Sequence, residues 1–125
     1  MSFQNELNQL CALRGATTSE HNSVESITSA VEELLVELIS RNNLIPDQII
    51  SVTFSVTNDL DACFPASIAR KKTGWGNVAL LDCQQMFVKD DLKKCIRLLA
   101  YVFLPKKQIP QNPYLGKAKN LRPDR

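Results

Sequence analysis

The feature that most restricts the fold is the segment CIRLLAYVFL, residues 95–104. Every residue in it is apolar or aromatic except Arg97. A short continuous apolar run of this kind is typical of a strand buried in a sheet. A guanidinium group stays charged, and burying it without a partner is very costly. The segment therefore predicts a buried strand whose Arg97 faces an anion.

Three other stretches have the composition of strands. They are rich in β-branched residues or are short and apolar, and they cover residues 9–14, 49–57 and 77–81. The first of them is expected to end at Gly15. Together with the segment 95–104 they predict a sheet of four strands.

Two segments are predicted to be helical. Apolar residues recur at helical spacing from Val24 to about Asn43, and Asn22 with Glu25 resembles a capping box at the start of this helix. A second, shorter helix is predicted at residues 64–72, where a proline stands at the first helical position.

The predicted order β-α-β-α-β-β indicates a single α+β domain over residues 1–125, with a mixed sheet and its helices on one face. Residues 1–8 are expected to be an N-terminal extension, and residues 105–125 an irregular, mobile C-terminal segment. One long helix cannot cover both faces of a four-stranded sheet. The uncovered face is therefore expected to pack against other subunits in a closed homo-oligomer.

Composition narrows the class of protein. In the 125 residues no apolar run approaches the ~20 residues of a membrane span, and the N-terminus lacks the apolar core of a signal peptide, which predicts a cytoplasmic protein. The four cysteines are widely spaced, with no CxxC pair and a single histidine in the chain. This spacing favours reduced, small apolar side chains over a metal site, a disulfide or a catalytic thiol.

Nucleophilic and acid–base motifs are missing from the sequence, which has no GxSxG, HExxH or P-loop. What stands out is arginine in apolar surroundings, at Arg14, Arg70 and Arg97. Arginine gives fixed, bidentate recognition of carboxylates. The pattern alone leaves two interpretations open for these three residues. They could form structural ion pairs, or they could bind an anionic ligand.

Seven blocks of sequence, in this order, resemble the monofunctional chorismate mutases of the AroH class. The blocks are LRGATT (13–18), FPASIAR (64–70), GW (74–75), QQM (84–86), LKKCIR (92–97), PYLGKA (113–118) and LRPD (121–124). The resemblance covers residues 9–125. It implies a homotrimer whose sheets form a pseudo α/β-barrel, with active sites between neighbouring subunits. It also implies rearrangement of chorismate to prephenate, in phenylalanine and tyrosine biosynthesis, without a cofactor or metal.

The same resemblance implies which residues act on the substrate. Arg97 matches the arginine that donates to the ether oxygen and a carboxylate, and Arg14 and Tyr114 match residues that bind a carboxylate. The other substrate-binding matches are Phe64, Ala66 and Arg70 in a wall from the adjacent subunit, Leu80 and Leu81 on a pocket-lining strand, and Leu121 and Arg122 in the C-terminal segment over the site.

Three positions depart from the family pattern. Ser67, in the same wall, stands where a relative has lysine, Asp82 where it has cysteine, and Gln85 where it has a glutamate that accepts a hydrogen bond from the substrate hydroxyl. We expect that the catalytic carboxylate has moved from position 85 to Asp82 and that Gln85 remains a neutral acceptor. The alternative is that Asp82 pairs with a nearby lysine or arginine.

Three other functions remain open at this point. A Rid-type trimeric enzyme would also use arginine for a carboxylate, although the LRGATT and LKKCIR blocks argue against it. A catalytically silent trimeric binding protein is conceivable because of Gln85. Nucleic-acid binding is suggested only by the basic residues after residue 104, which fit a segment over an anionic small molecule equally well. We expect neither nucleic acid nor membrane as a partner.

Overall fold

The computed structural model describes residues 8–121. Its elements, in chain order, are β1 (Asn8–Thr18), α1 (Val24–Asn42), a 3-10 helix at Pro46–Gln48, β2 (Ile49–Val56), α2 (Pro65–Ala69), a 3-10 helix at Trp75–Asn77, β3 (Ala79–Gln84), β4 (Cys95–Pro105) and a 3-10 helix at Gly116–Asn120. The order of helices and strands confirms the α+β prediction. Arg122 and residues 1–7 of the expected extension lie outside the described residues, and Asn8 already belongs to β1.

The four strands form one mixed sheet in the order β1-β4-β2-β3. Strand β4 pairs antiparallel with both β1 and β2, whereas β2 and β3 are parallel. The most apolar strand therefore lies inside the sheet, with a neighbour on each side, as its composition predicts. Strands β1 and β3 are the two edges.

Side chains alternate along β4 between the two faces of the sheet. Ile96, Leu98 and Ala100 are buried against the helices, in one core cluster with residues of α1 and α2. Both helices therefore cover the same face. The intervening residues of β4, which include Arg97 and Tyr101, lie on the opposite face, and Arg97 and Tyr101 are partly accessible there. This second face is called the open face below.

The predicted end of β1 at Gly15 is wrong, because the strand continues to Thr18. A Cβ atom at Gly15 would lie 3.0 Å from the carbonyl oxygen of Pro113 and 3.3 Å from Leu34. The glycine therefore marks a close approach of two backbone segments and does not end the strand. Strand β3 is also shifted relative to its prediction, to residues 79–84, because buried Trp75 begins a 3-10 turn that precedes it.

The predicted cap of α1 is also wrong. Ser23 is the N-cap, and its hydroxyl accepts a hydrogen bond from the Ser26 N–H at 3.1 Å. The side chain of Asn22 instead binds the loop before α2, where it donates to Asp61 at 2.7 Å and accepts from the Ala62 N–H at 3.1 Å. Asn22 thus joins the start of α1 to the segment that leads into α2.

All four cysteines are free thiols in the structure. Burial raises the pKa of the Cys11 thiol, and burial with the Asp82 charge raises that of Cys63. Neither thiol is therefore activated as a thiolate nucleophile. Within residues 8–121 no helix has the length and apolar character that crossing a bilayer requires.

Candidate active site

Arg97 lies in the middle of the open face. The register of β4 places it opposite Ala16 of β1 and Ser55 of β2. Its side chain is 32% exposed. The strand thus fixes the base of the side chain among small neighbours.

The guanidinium of Arg97 has one weak ion-pair partner, also interacts with the Cys95 side chain, and has one unused donor. Its Nη2 lies 3.4 Å from Oδ2 of Asp91, longer than the ~2.8 Å of a strong charge-assisted hydrogen bond. Its Nε is buried and has no hydrogen-bond partner among the described residues. Leaving a buried donor of a charged group unsatisfied costs on the order of 1–3 kcal/mol or more. This donor is free to bind an acceptor on a ligand, and the role of Arg97 stays a prediction.

A pocket of about 200 Å³ lies beside Arg97. Its lining residues are Arg14, Gly15, Ala16, Arg97, Leu98, Tyr114 and Leu121. Four of the residues predicted to bind the substrate or catalyse its reaction are therefore brought together by the fold. The volume is below the roughly 300–1,000 Å³ of typical small-molecule sites.

The C-terminal segment reaches this pocket because it is docked along β1. The Ala16 N–H donates to Pro113 O at 3.0 Å, the Leu115 N–H donates to Ala16 O at 2.8 Å, and Tyr114 forms a parallel bridge with Ala16. Buried Leu115 and Ala118 anchor the segment. The segment is thus more regular than predicted, with a bridge and a 3-10 helix, whereas its mobility stays a prediction.

Arg14 and Arg70 have no structural ion pair within residues 8–121. The ion pairs there join Glu20 with His21, Glu37 with Arg41 and Asp91 with Arg97. Both Arg14 and Arg70 are exposed, so their charges are available to an anionic ligand.

A second group of predicted substrate-binding residues lies at the opposite edge of the sheet. It comprises Phe64, Ala66, Ser67 and Arg70 in or beside α2, and Leu80 and Leu81 on β3. Phe64 is 70% exposed and Leu81 is 58% exposed, so both side chains are accessible to a ligand or a partner surface. Strand β2 separates β3 from β4, so this group lies roughly 10 Å from Arg97, about two strand spacings. The pocket beside Arg97 is lined by none of the second group.

Asp82 belongs to this second group. It pairs in register with buried Phe54, which places its side chain on the helix face of the sheet, while Arg97 is on the open face. Its Oδ1 accepts a hydrogen bond from the Ala66 N–H at 2.9 Å, in the first turn of α2. Burial raises the pKa of the Asp82 carboxyl, although the Ala66 hydrogen bond and the Arg70 charge oppose that rise. The carboxylate therefore fixes the start of α2, and its role toward a substrate hydroxyl stays a prediction.

Gln85 lies just beyond the end of β3, close to the strand that carries Arg97. Its N–H donates to Val56 O at 2.7 Å, and its side-chain oxygen accepts from the Ser55 hydroxyl. Ser55 is the register partner of Arg97. The amide of Gln85 is thereby held on the strand next to Arg97, and its role in catalysis stays a prediction.

Contacts of the loop between β3 and β4 involve residues that the sequence did not single out. One of these residues, Asp59, comes from the segment between β2 and α2. Both oxygens of Asp59 accept from the Lys94 N–H, at 3.1 and 2.9 Å, and so hold Lys94 at a positive φ of 49°. Burial alone would raise the pKa of Asp59, but hydrogen bonds from Thr57 and Lys94, with the Lys94 charge, lower it. No spacing rule relates Asp59 to Lys94 or Asp91 to Arg97, and only the folded chain brings each pair together.

Comparison with known proteins identifies the family. The family model described as chorismate mutase type I matches residues 10–125. The chain belongs to this family. The AroH chorismate mutase of Bacillus subtilis is 40% identical over 114 residues, which cover 90% of this chain and 89% of that protein. The AroH chorismate mutase of Thermus thermophilus is 36% identical over 115 residues, covering 90% of this chain and 93% of that protein.

The fold agrees with that assignment. A solved chorismate mutase from Clostridium thermocellum superposes with a TM-score of 0.82 at 40% identity, covering 88% of this chain and 98% of that one. Membership makes this chain a chorismate mutase, which is an isomerase, and the Rid-type and silent alternatives are not favoured. The absence of a nucleophile or activated base in the sequence fits an isomerase of this kind.

Arg97→Ala should lower kcat by at least roughly 10²–10³, the usual effect of removing one preorganised donor, because it also removes a charge. Arg41→Ala is a matched control, since Arg41 is paired with Glu37 on the exposed side of α1. Steady-state kinetics of both variants, with circular dichroism to check folding, tests the assignment. Turnover like that of the parent enzyme in folded Arg97→Ala would contradict it.

Asp82→Asn should lower kcat/KM by at least about tenfold if the carboxylate has moved from position 85, and Gln85→Glu in that background should recover much of the loss. Asn can still accept the Ala66 hydrogen bond, so helix α2 should be retained. Kinetics of the single and double variants measures this. Parental activity in Asp82→Asn would leave Asp82 with only its contact to α2.

Proposed function

We propose that the chain rearranges chorismate to prephenate through charge stabilisation by Arg97, in a site shared by neighbouring subunits of a homotrimer. The observation that carries this proposal is the buried, unpartnered Nε of Arg97, in a pocket that also contains Arg14 and Tyr114. A dicarboxylate substrate supplies the acceptors that these groups lack.

The reaction accounts for the chemistry that the site contains. A Claisen rearrangement breaks one C–O bond and forms one C–C bond within one molecule, and it transfers no proton. The enzyme has to hold chorismate in a compact conformation and to stabilise negative charge that grows on the ether oxygen. Lowering the barrier by ~8 kcal/mol would accelerate the reaction about a millionfold.

The residues that the family resemblance assigns to the substrate then have the following roles. Nε and the terminal nitrogens of Arg97 donate to the ether oxygen and to one carboxylate. Arg14 and Tyr114 bind a carboxylate, and Leu121 with Arg122 covers the substrate. Gln85 accepts from the substrate hydroxyl. Because these donors are positioned on β1, β4 and the docked C-terminal segment, little reorganisation is needed when the substrate arrives.

The position of the second group supports a site shared between subunits. Phe64, Ser67, Arg70 and Leu81 lie at the far edge of the sheet from Arg14. Since one small molecule cannot reach both edges of one sheet, these residues would close the site of the adjacent subunit. Asp82 lies with them, so its carboxylate would approach the substrate from that neighbour.

The open face supports a trimer. Leu10 is 58% exposed and Tyr101 is 42% exposed on this face, next to Leu99 and Phe103. Packing three such faces around a closed axis would remove this apolar surface from water and produce the pseudo-barrel. We further propose that the enzyme works in the cytoplasm, in the biosynthesis of phenylalanine and tyrosine.

The activity is tested by following the loss of chorismate absorbance with purified enzyme, together with the appearance of prephenate. Because no proton is transferred, kcat should be nearly constant between about pH 6 and 9. Failure to convert chorismate would reject the function. A bell-shaped profile with a limb near neutrality would instead point to acid–base catalysis.

The shared site is tested by mixing subunits. Arg97→Ala and Arg70→Ala homotrimers should both have low activity, because each lacks one half of every site. Refolding the two variants together at a 1:1 ratio should give mixed trimers that each contain one intact site. About a quarter of all sites in the mixture should then be intact. Activity in the mixture no higher than the average of the two parents would show that Arg97 and Arg70 serve the same subunit's site or no common site.

A further inference from the structure

We propose that Asp91 is a positioning residue, which orients the guanidinium of Arg97 for catalysis. This rests on the proposed role of Arg97. Nothing in the family resemblance assigns a role to Asp91, which lies in the loop between β3 and β4. Its Oδ2 is 3.4 Å from Nη2 of Arg97, and it is the only carboxylate within 4.0 Å of that guanidinium among residues 8–121.

The carboxylate is itself held in place. Its Oδ1 accepts from the Leu92 N–H at 2.8 Å, and the Asp91 N–H donates to Val88 O at 3.1 Å. Only 28% of the side chain is exposed. The loop is fixed again at Lys94 by the two hydrogen bonds to Asp59. The Asp91 carboxylate is therefore held in one position beside Arg97, unlike the charge of a mobile surface side chain.

Contact at one terminal nitrogen defines the direction of the others. The guanidinium is planar and rigid, so holding Nη2 restricts rotation of the whole group about its aliphatic stem. Nε remains buried and has no hydrogen-bond partner within residues 8–121, so it is free to bind a ligand acceptor. Asp91 thus limits the orientations of the Arg97 guanidinium and leaves its Nε free to donate to the substrate.

The same carboxylate repels a dianionic substrate. Removing it should therefore strengthen or leave unchanged the attraction for chorismate, while it loosens the orientation of Arg97. The expected signature is a lower kcat with an unchanged or lower KM. A loop that merely unfolds would raise KM and lower the melting temperature together. A carboxylate that only competed for Arg97 would, when removed, lower KM without lowering kcat.

Kinetics of Asp91→Ala, Asp91→Asn and Asp91→Glu tests this proposal, with chorismate as the probe. Misplaced catalytic groups cost up to about a hundredfold, so Asp91→Ala should lose roughly tenfold to a hundredfold in kcat without a rise in KM. Asp91→Glu, which retains the charge and can reach Nη2, should recover most of that loss. Asp90→Asn is the control, because it removes an exposed charge one residue away and asparagine tolerates the positive φ of 66°.

Double-variant kinetics separates this proposal from the role of Arg97. Asp91→Ala should have little effect in an Arg97→Ala background, because residues that act as a unit are not additive. Additive losses, an unchanged kcat in Asp91→Ala, or no recovery in Asp91→Glu would overturn the proposal while Arg97→Ala remained impaired. Full activity of Arg97→Ala would instead overturn the proposed function itself.

Discussion

The fold places one charged side chain in an apolar strand, and the organisation of the site depends on that placement. Strand β4 has a neighbour on each side, and its even-numbered residues are buried against the helices. A register slip of one residue would turn Arg97 into the core and Leu98 out to the open face. The burial that fixes the register of β4 therefore also fixes the Arg97 charge, for which we propose the catalytic role, on the open face.

A second constraint brings the remaining pocket residues to Arg97. The segment around Tyr114 is held to β1 by backbone hydrogen bonds with Ala16, the residue opposite Arg97 in the sheet. The absence of a side chain at Gly15 allows the chain at Pro113 to approach β1 closely. Tyr114, about a hundred positions from the start of β1, is thereby placed in the same pocket as Arg14 and Arg97.

Much of the architecture follows from local patterns in the sequence. The apolar run predicts an interior strand with Arg97 facing an anion, and the helical spacing from Val24 predicts α1 to within one residue. Gly15 and Asn22 were misjudged because their contacts, with Pro113 and with Asp61 and Ala62, come from distant segments. The contact of Asp82 with α2 and that of Asp91 with Arg97 depend in the same way on how loops close, which no spacing rule encodes. The gathering of Arg14, Tyr114 and Leu121 beside Arg97 was anticipated only through resemblance to a family.

The central claim is that Arg97 donates to the ether oxygen of chorismate in a site closed by a neighbouring subunit. The most direct measurement is a crystal structure of the assembled enzyme with a transition-state analogue of the rearrangement. We expect a nitrogen of Arg97 within about 3 Å of the oxygen that represents the ether, with Arg14 and Tyr114 on a carboxylate and Arg70 of an adjacent subunit at the wall. An analogue bound away from Arg97, or contacted by residues of one subunit alone, would contradict it.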